Sequence, residues 1–193
     1  MKFYQEITLL PNHEIGINFI WSKTFQQIHI GFVEIKDSQA KSSIGISFPK
    51  HSMGKKFGIG SKLRLFAQSE LELQRFDAAK LLSRLTDYIH ISNIREVPQK
   101  INGYAIYNRH QPKVNKERLA RRYAKRHNLD YNLALEHYKE MGDKSIKYPF
   151  IKLKSLSSDK EFCLWIKKTS ANQMNYQKFS TYGLSNVSTL PDF

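Results

Sequence analysis

Histidine is the side chain whose ordinary pKa lies closest to neutrality, so it can take up and return a proton unaided. The chain carries seven: His13, His29, His51, His90, His110, His127 and His137. Without context each reads as a surface residue before it reads as a catalyst. His29 differs in its setting. Trp21, Phe25, Ile28 and Phe32 recur at i, i+4, i+7 and i+11, the spacing of one apolar helix face. His29 lies beside Ile28 and Phe32 at the edge of that stripe, where one edge of a ring is held and the other left open. Periodicity alone favours a half-buried structural histidine there over a catalytic one.

Two kinds of phosphodiester chemistry are worth weighing. Metal-dependent cleavage needs clustered carboxylates. The 17 acidic residues are scattered without a paired pattern, and no Cys/His pairing has zinc-ligand spacing, so neither a metal site nor a cofactor is expected. Metal-free RNA cleavage uses the neighbouring 2′-hydroxyl as nucleophile. It needs a base such as histidine near that hydroxyl and donors around the phosphate.

The densest run of charge is KVNKERLARRYAKRH, residues 113–127. Seven cations, Lys113, Lys116, Arg118, Arg121, Arg122, Lys125 and Arg126, stand against the single acid Glu117, a net +6. Asn115 is a plausible N-cap and Asn128 a plausible stop, which predicts a helix over 115–128. On a helix Arg118, Arg121, Arg122, Lys125 and Arg126 fall within about 140° of arc, with Leu119, Ala120, Tyr123 and Ala124 opposite. Solvation alone would be satisfied by mixed signs. An arginine-rich face almost free of acids points to phosphate binding.

The whole chain has a formal charge of +14 and a pI near 9.8. Residues 1–98 carry 13 basic and 9 acidic side chains and residues 99–193 carry 18 and 8, so a polyanion is expected on the second half. A length of 193 residues suits one large domain or two small ones. The lone Cys163 excludes an internal disulfide and suits a reducing compartment. MKFYQEITLL is too short and too acidic for a signal peptide, and no apolar run reaches membrane-spanning length. A cytoplasmic protein without membrane contact is expected. The basic helix lacks the bulky apolar face of an interfacial helix.

These residues must be positioned by the elements around them. Residues 3–10 read as a strand and 17–35 as a helix. SIGISF (43–48) and KLRLFA (62–67) read as two further strands. Ser69 with Glu72 forms a capping box that opens a helix to about Tyr88. Residues 88–97 then return as extended chain. The order β-α-β-β-α-β is that of a ferredoxin-like domain over 1–98. Such a superfold does not by itself define an activity. PQKING reads as a linker into a smaller α/β domain over 99–193. In it a strand over 103–110 precedes the basic helix. Asp130 caps a helix to about Met141, stopped by Gly142. Strands follow at Lys147–Lys154 and Glu161–Lys168, then polar loop over 170–178. The fold class expected is α+β.

Over nearly its whole length the chain resembles the type I-F CRISPR repeat-processing endoribonucleases, the Csy-type guide-RNA maturation proteins. The likeness rests on YQEITLLP, FQQIHIGF, IGISFP, NRHQPKVNKERLARRYAKRHNL, PFIKLKSLSS, EFCLWI and TYGLS, in that order. In that family a ferredoxin-like domain precedes a smaller domain whose arginine-rich helix enters the major groove at the base of a CRISPR repeat hairpin. The enzyme cuts just 3′ of the stem without a metal and leaves a 2′,3′-cyclic phosphate. It then stays on the mature crRNA with the other subunits of the crRNA-guided surveillance complex. The resemblance implies a catalytic role for His29, as base toward the 2′-hydroxyl or as acid toward the leaving 5′-oxygen. It implies that Ser155, with Ser157 close by, holds the 2′-hydroxyl and that Tyr182 orients the histidine. It places base reading on Arg109 and Gln111, and helix contacts on Arg121, Arg122, Lys125 and Arg126; Arg118 joins these from the same face. It places a stacking platform beneath the terminal base pair on Phe162. Lys125 stands where the family pattern has an arginine, and Asp192 where an aromatic is common.

The expected function is therefore endoribonucleolytic processing of CRISPR precursor RNA. The alternative is a non-catalytic RNA-hairpin-binding subunit; a DNA-binding regulator is a third possibility. The basic helix serves binder and nuclease equally. His29 paired with Tyr182 separates them, because a pure binder has no use for that pair.

Overall fold

The computed structural model describes residues 1–54, 58–111, 116–139, 147–155 and 158–193. The chain mixes helix and sheet. In β1 (Phe3–Leu9) alternation buries Ile7 and Leu9. In α1 (Ile17–Glu34) the expected stripe is the core face: Trp21, Phe25, Ile28 and Phe32 are all at most 1% exposed. A two-residue strand β2 (Lys41–Ser42), then β3 (Gly45–Ser47) and β4 (Lys62–Ala67), follow.

The capping box at Ser69 forms as expected and opens α2 (Glu70–Phe76). One helix to Tyr88 does not follow. Asp77 takes the left-handed conformation, φ 45°, and its carboxylate accepts from the Lys80 amide to start α3 (Ala78–Leu81). A single 3₁₀ turn, Ser83–Leu85, completes the segment. A short carboxylate that bonds its own backbone tolerates this conformation and so breaks the helical ladder. The extended return holds two short strands, β5 (Ile89–Ile91) and β6 (Arg95–Glu96).

The first sheet runs in the order β3-β4-β1-β5, every pairing antiparallel, with β6 also on β1. A second sheet is built from β7 (Gly103–His110) and from strands that return after the basic helix. Two helices intervene: α4 (Lys116–His127) and α5 (Tyr131–His137). The returning strands are β8 (Phe150–Lys154) and β9 (Glu161–Ala171). Then come β10 (Phe179–Ser180), which pairs with β2, and β11 (Leu190–Asp192). The second sheet is ordered β11-β7-β9-β8. β8 starts later than Lys147. β9 runs past Lys168 because its register with β7 continues to Tyr104↔Ala171, so part of the expected 170–178 loop is strand.

The described chain falls into two compact units, Met1–His110 with Tyr148–Phe193, and Gln111–Lys147. Within the larger unit Tyr107, Ile151, Leu164, Ile166 and Leu190 are buried in the same cluster as Ile46 and Phe48. Tyr107 packs its ring on Phe48, centroids 5.8 Å apart, and donates its hydroxyl to the Phe48 carbonyl. α1 packs against β8 as well as under the first sheet.

In the smaller unit α4 and α5 pack against each other and bury Ala120 and Ala134. Asn128, φ 51°, ends α4, and the Asp130 carboxylate caps α5 through the Asn132 amide. α5 stops at His137, short of the expected end. Lys113, Asn115, Met141, Gly142 and Ser157 lie outside the described residues. Among the described residues no helix is long and apolar enough to cross a membrane.

Candidate active site and nucleic-acid interface

His29 is fixed by one short segment 152 residues further along the chain. Its Nδ1 lies 2.8 Å from the Thr181 carbonyl oxygen. A carbonyl only accepts, so Nδ1 carries the proton and donates, and in the neutral ring the lone pair is left on Nε2. The imidazole also lies flat on Tyr182, with centroids 4.2 Å apart and planes 6° from parallel. The hydrogen bond sets the tautomer and the stack sets the plane. His29 is half-buried, while its helix neighbours Ile28 and Phe32 have no exposed surface.

The segment TYGLS explains how this is held. Gly183 has φ +66°, and a Cβ there would lie 2.5 Å from Ile46 Cγ1 and 2.9 Å from Phe32 Cζ, so only glycine fits. The Gly183 amide donates to the Ser180 carbonyl at 2.8 Å, and the Ser180 amide to Leu184 at 2.9 Å. The Ile46 amide donates to the Gly183 carbonyl at 2.8 Å, which ties the turn to β3. The Ser185 amide donates to the Tyr107 carbonyl at 3.0 Å, which ties it to β7. The turn is thus pinned to both sheets, and its Thr181 carbonyl and Tyr182 ring face α1.

Arg109, exposed near the end of β7, extends the constellation. Its guanidinium carbon is 5.4 Å from the ring centre of Tyr182 and 5.4 Å from that of Phe162 on β9. His29, Tyr182, Arg109 and Phe162 therefore form one series of ring and cation contacts drawn from four separate segments. Ser155 follows β8, the strand that packs on α1. Its Oγ accepts from the Ser158 amide at 3.3 Å and lies 2.9 Å from the Ser158 hydroxyl. The backbone of that turn closes through Ser155 N to Lys160 O at 2.9 Å.

His51 shows the contrasting use of a histidine. Its Nε2 donates to the Ile166 carbonyl at 3.0 Å, and burial pushes its pKa below the ordinary value. It is a structural imidazole. Among the described residues no three His, Cys, Asp or Glu side chains gather as a metal site.

The smaller unit presents the basic helix. Arg118, Arg121, Arg122, Lys125 and Arg126 are exposed, Ala120 is buried, and Leu119, Tyr123 and Ala124 are half-buried. Tyr123 stacks on His137 of α5 at 4.7 Å. Arg121 reaches Glu117 at 3.8 Å, but both are about two-thirds exposed, so the pair adds little stability. Arg122, Lys125 and Arg126 make no ion pair among the described residues. Gln111, also exposed, belongs to this unit.

Sequence reasoning missed the Thr181 carbonyl. A backbone acceptor leaves no signature in residue types; its only signal is adjacency to Tyr182.

The chain mixes helix and sheet, with an aligned imidazole in one unit and, in the other, a helix whose six lysines and arginines face the single acid Glu117, a charge balance suited to proteins that handle polyanions. The family is definite. The family model described as "CRISPR-associated protein (Cas_Csy4)" matches residues 4–193, and the chain belongs to that family. It is 31% identical over 194 residues to the "CRISPR-associated endonuclease Cas6/Csy4" of Escherichia coli (strain UTI89 / UPEC), with 100% of both chains covered. It is 29% identical over 195 residues to the protein of the same name from Pseudomonas aeruginosa (strain UCBPP-PA14), again with 100% of both covered. A solved structure named "CRISPR associated protein Cas6" aligns over 99% of this chain and 98% of its own at 11% identity and a TM-score of 0.39.

Proposed function

We propose that this protein is a sequence- and structure-specific endoribonuclease that processes CRISPR precursor RNA. It cuts 3′ of the repeat hairpin by attack of the 2′-hydroxyl. The relatives named endonucleases support the class of activity. The observation that carries the reading is the imidazole of His29, held by Thr181 and Tyr182 with Nε2 free of that bond. Unlike His51, which spends its Nε2 on the Ile166 carbonyl, His29 uses Nδ1 for its backbone bond and keeps Nε2 for a substrate.

In this mechanism Nε2 takes the proton of the 2′-hydroxyl. The 2′-oxygen bonds to phosphorus, the bond from phosphorus to the 5′-oxygen breaks, and that oxygen leaves with the proton that the imidazolium gives back. The products are a 2′,3′-cyclic phosphate and a 5′-hydroxyl, and no metal enters the scheme. A placed base of this kind contributes about 10²–10⁴-fold. Tyr182 orients the imidazole and Ser155 holds the attacking hydroxyl, with Ser157 beside it. Arg109 donates two hydrogen bonds to a guanine edge and Gln111 pairs with an adenine edge. Phe162 stacks under the terminal base pair. Arg118, Arg121, Arg122, Lys125 and Arg126 grip the phosphates of the stem. The A-form major groove is deep and narrow, so the grip falls near the open base of a short hairpin.

The first sheet, ordered β3-β4-β1-β5, fits a ferredoxin-like domain over residues 1–98 that supplies the imidazole. Residues 99–193 supply the arginine-rich helix, the serines and the tyrosine. On this reading the protein works in the cytoplasm, stays on the mature crRNA and joins the other subunits of a type I-F surveillance complex. Incubation with a repeat hairpin in excess chelator tests the chemistry. Full activity with 2′,3′-cyclic phosphate and 5′-hydroxyl ends is expected. Loss of cutting in chelator, or 3′-hydroxyl and 5′-phosphate ends, would overturn it.

A further inference from the structure

Arg109 lies against the ring that aligns the imidazole. Its guanidinium carbon is 5.4 Å from the centre of Tyr182, and Tyr182 is stacked on His29 at 4.2 Å. The same guanidinium is 5.4 Å from Phe162. Among the described residues no hydrogen bond or ion pair holds it; two aromatic rings do. Its five N–H donors are therefore unspent.

We infer that Arg109 is a positioning residue that couples recognition of the RNA stem to the alignment of His29. This rests on the endoribonuclease reading above. A guanidinium can give two parallel hydrogen bonds to a guanine edge while its flat face stays over an aromatic ring. A base that takes those bonds pins the guanidinium. The pinned guanidinium confines Tyr182, and the stack passes that restraint to the plane of the imidazole. A base that cannot take them leaves the cation free to exchange the rings for water, and Tyr182 loses a neighbour. Small misplacements of a catalytic group are costly, so selectivity appears in the cutting step as well as in binding.

Single-turnover cleavage at saturating protein separates the two steps. Hairpins in which each lower-stem base pair is exchanged in turn are cut by wild type, Arg109→Ala and Arg109→Lys. Wild type should lose about tenfold in plateau rate when the guanine that meets Arg109 is exchanged, even at saturation. Arg109→Ala should cut every hairpin at one slower rate, about tenfold below wild type on the native repeat. Arg109→Lys should not restore the base dependence, because an ammonium lacks the flat fork. Adding Arg109→Ala to Tyr182→Leu should cost little beyond Tyr182→Leu alone, since both act through one stack.

If Arg109→Ala weakens binding but keeps the wild-type plateau rates, the coupling is absent and the nuclease reading stands. If it slows cutting yet preserves the wild-type ranking of hairpins, Arg109 is only a structural prop and the inference fails. If wild type binds the hairpins and cuts none, both fall together.

Discussion

His29 has its Nδ1 bonded and its face stacked at 4.2 Å. Arg122, Lys125 and Arg126 instead extend from a short helix pair without an ion pair among the described residues. On the proposed function the difference follows the demands of two tasks, proton transfer at His29 and phosphate binding at α4. On the proposed reading, proton transfer is slowed about 10²-fold by a misplacement of about 1 Å, which suits a ring held by both a backbone bond and a stack from one turn. Phosphate binding draws on counterion release and on the number of charges, so mobile cations on an exposed face suffice. One region depends on geometry, the other on charge count.

The sharpest break between them comes from His29→Ala. It should lower the cleavage rate about 10²–10⁴-fold while leaving hairpin affinity near wild type, as read by single-turnover cleavage beside a filter-binding titration. A variant that cuts normally would make His29 a packing residue like His51.

The reverse experiment removes charge and leaves the imidazole alone. Arg122→Ala with Arg126→Ala should weaken hairpin binding more than tenfold. The salt dependence of binding should flatten by about 0.7–0.9 log units per lost phosphate contact. An unchanged salt slope would mean that α4 does not meet the RNA.

Gly183→Ala sharpens the geometric side. The substitution places a Cβ 2.5 Å from Ile46 at φ +66°. It should cost about 1–3 kcal/mol in denaturant unfolding. Cleavage should fall further than stability, because the turn that carries Thr181 and Tyr182 must move. Wild-type cleavage in this variant would show that the turn does not aim the ring.

The smallest effect concerns how the larger unit holds its own charges. Burial alone would raise the pKa of Glu6, but hydrogen bonds from Lys62 and Arg64 outweigh it and hold the carboxyl below its usual value. A carboxyl held low in the fold contributes stability above its unfolded pKa, and that contribution is lost as pH falls through the folded value. Melting temperature should therefore drop more steeply below about pH 4.3 in wild type than in Glu6→Gln. Parallel curves would show that the pair contributes nothing.

Local pattern exposed some of this architecture and long-range pairing hid the rest. Trp21, Phe25, Ile28 and Phe32 announce the core face of α1 by spacing, and the capping box at Ser69 announces α2. Cationic α4 was equally plain, because its signal is charge along one turn after another. Periodicity did not reveal the break at Asp77, since a single left-handed residue leaves the apolar spacing nearly intact. Nor did it reveal that β7, β8, β9 and β11 share a core with β3, because that depends on side chains far apart in sequence. Within the site, His29 stood out by its place at the edge of a stripe, but that spacing favoured a structural role and its catalytic reading came from resemblance. Tyr182 came only from resemblance, since its contact with His29 spans more than 150 residues and leaves no local trace. Very short strands such as β2 and β10 carry too few residues for alternation to show.

The central claim is that Nε2 of His29 acts on one sugar oxygen. A repeat hairpin carrying hydrogen in place of the 2′-hydroxyl just upstream of the cut tests it most directly, with binding and cleavage measured on the same preparation. The account predicts affinity near that of the unmodified hairpin and no cleavage. Cutting of the deoxy-substituted hairpin at the ordinary rate would contradict it.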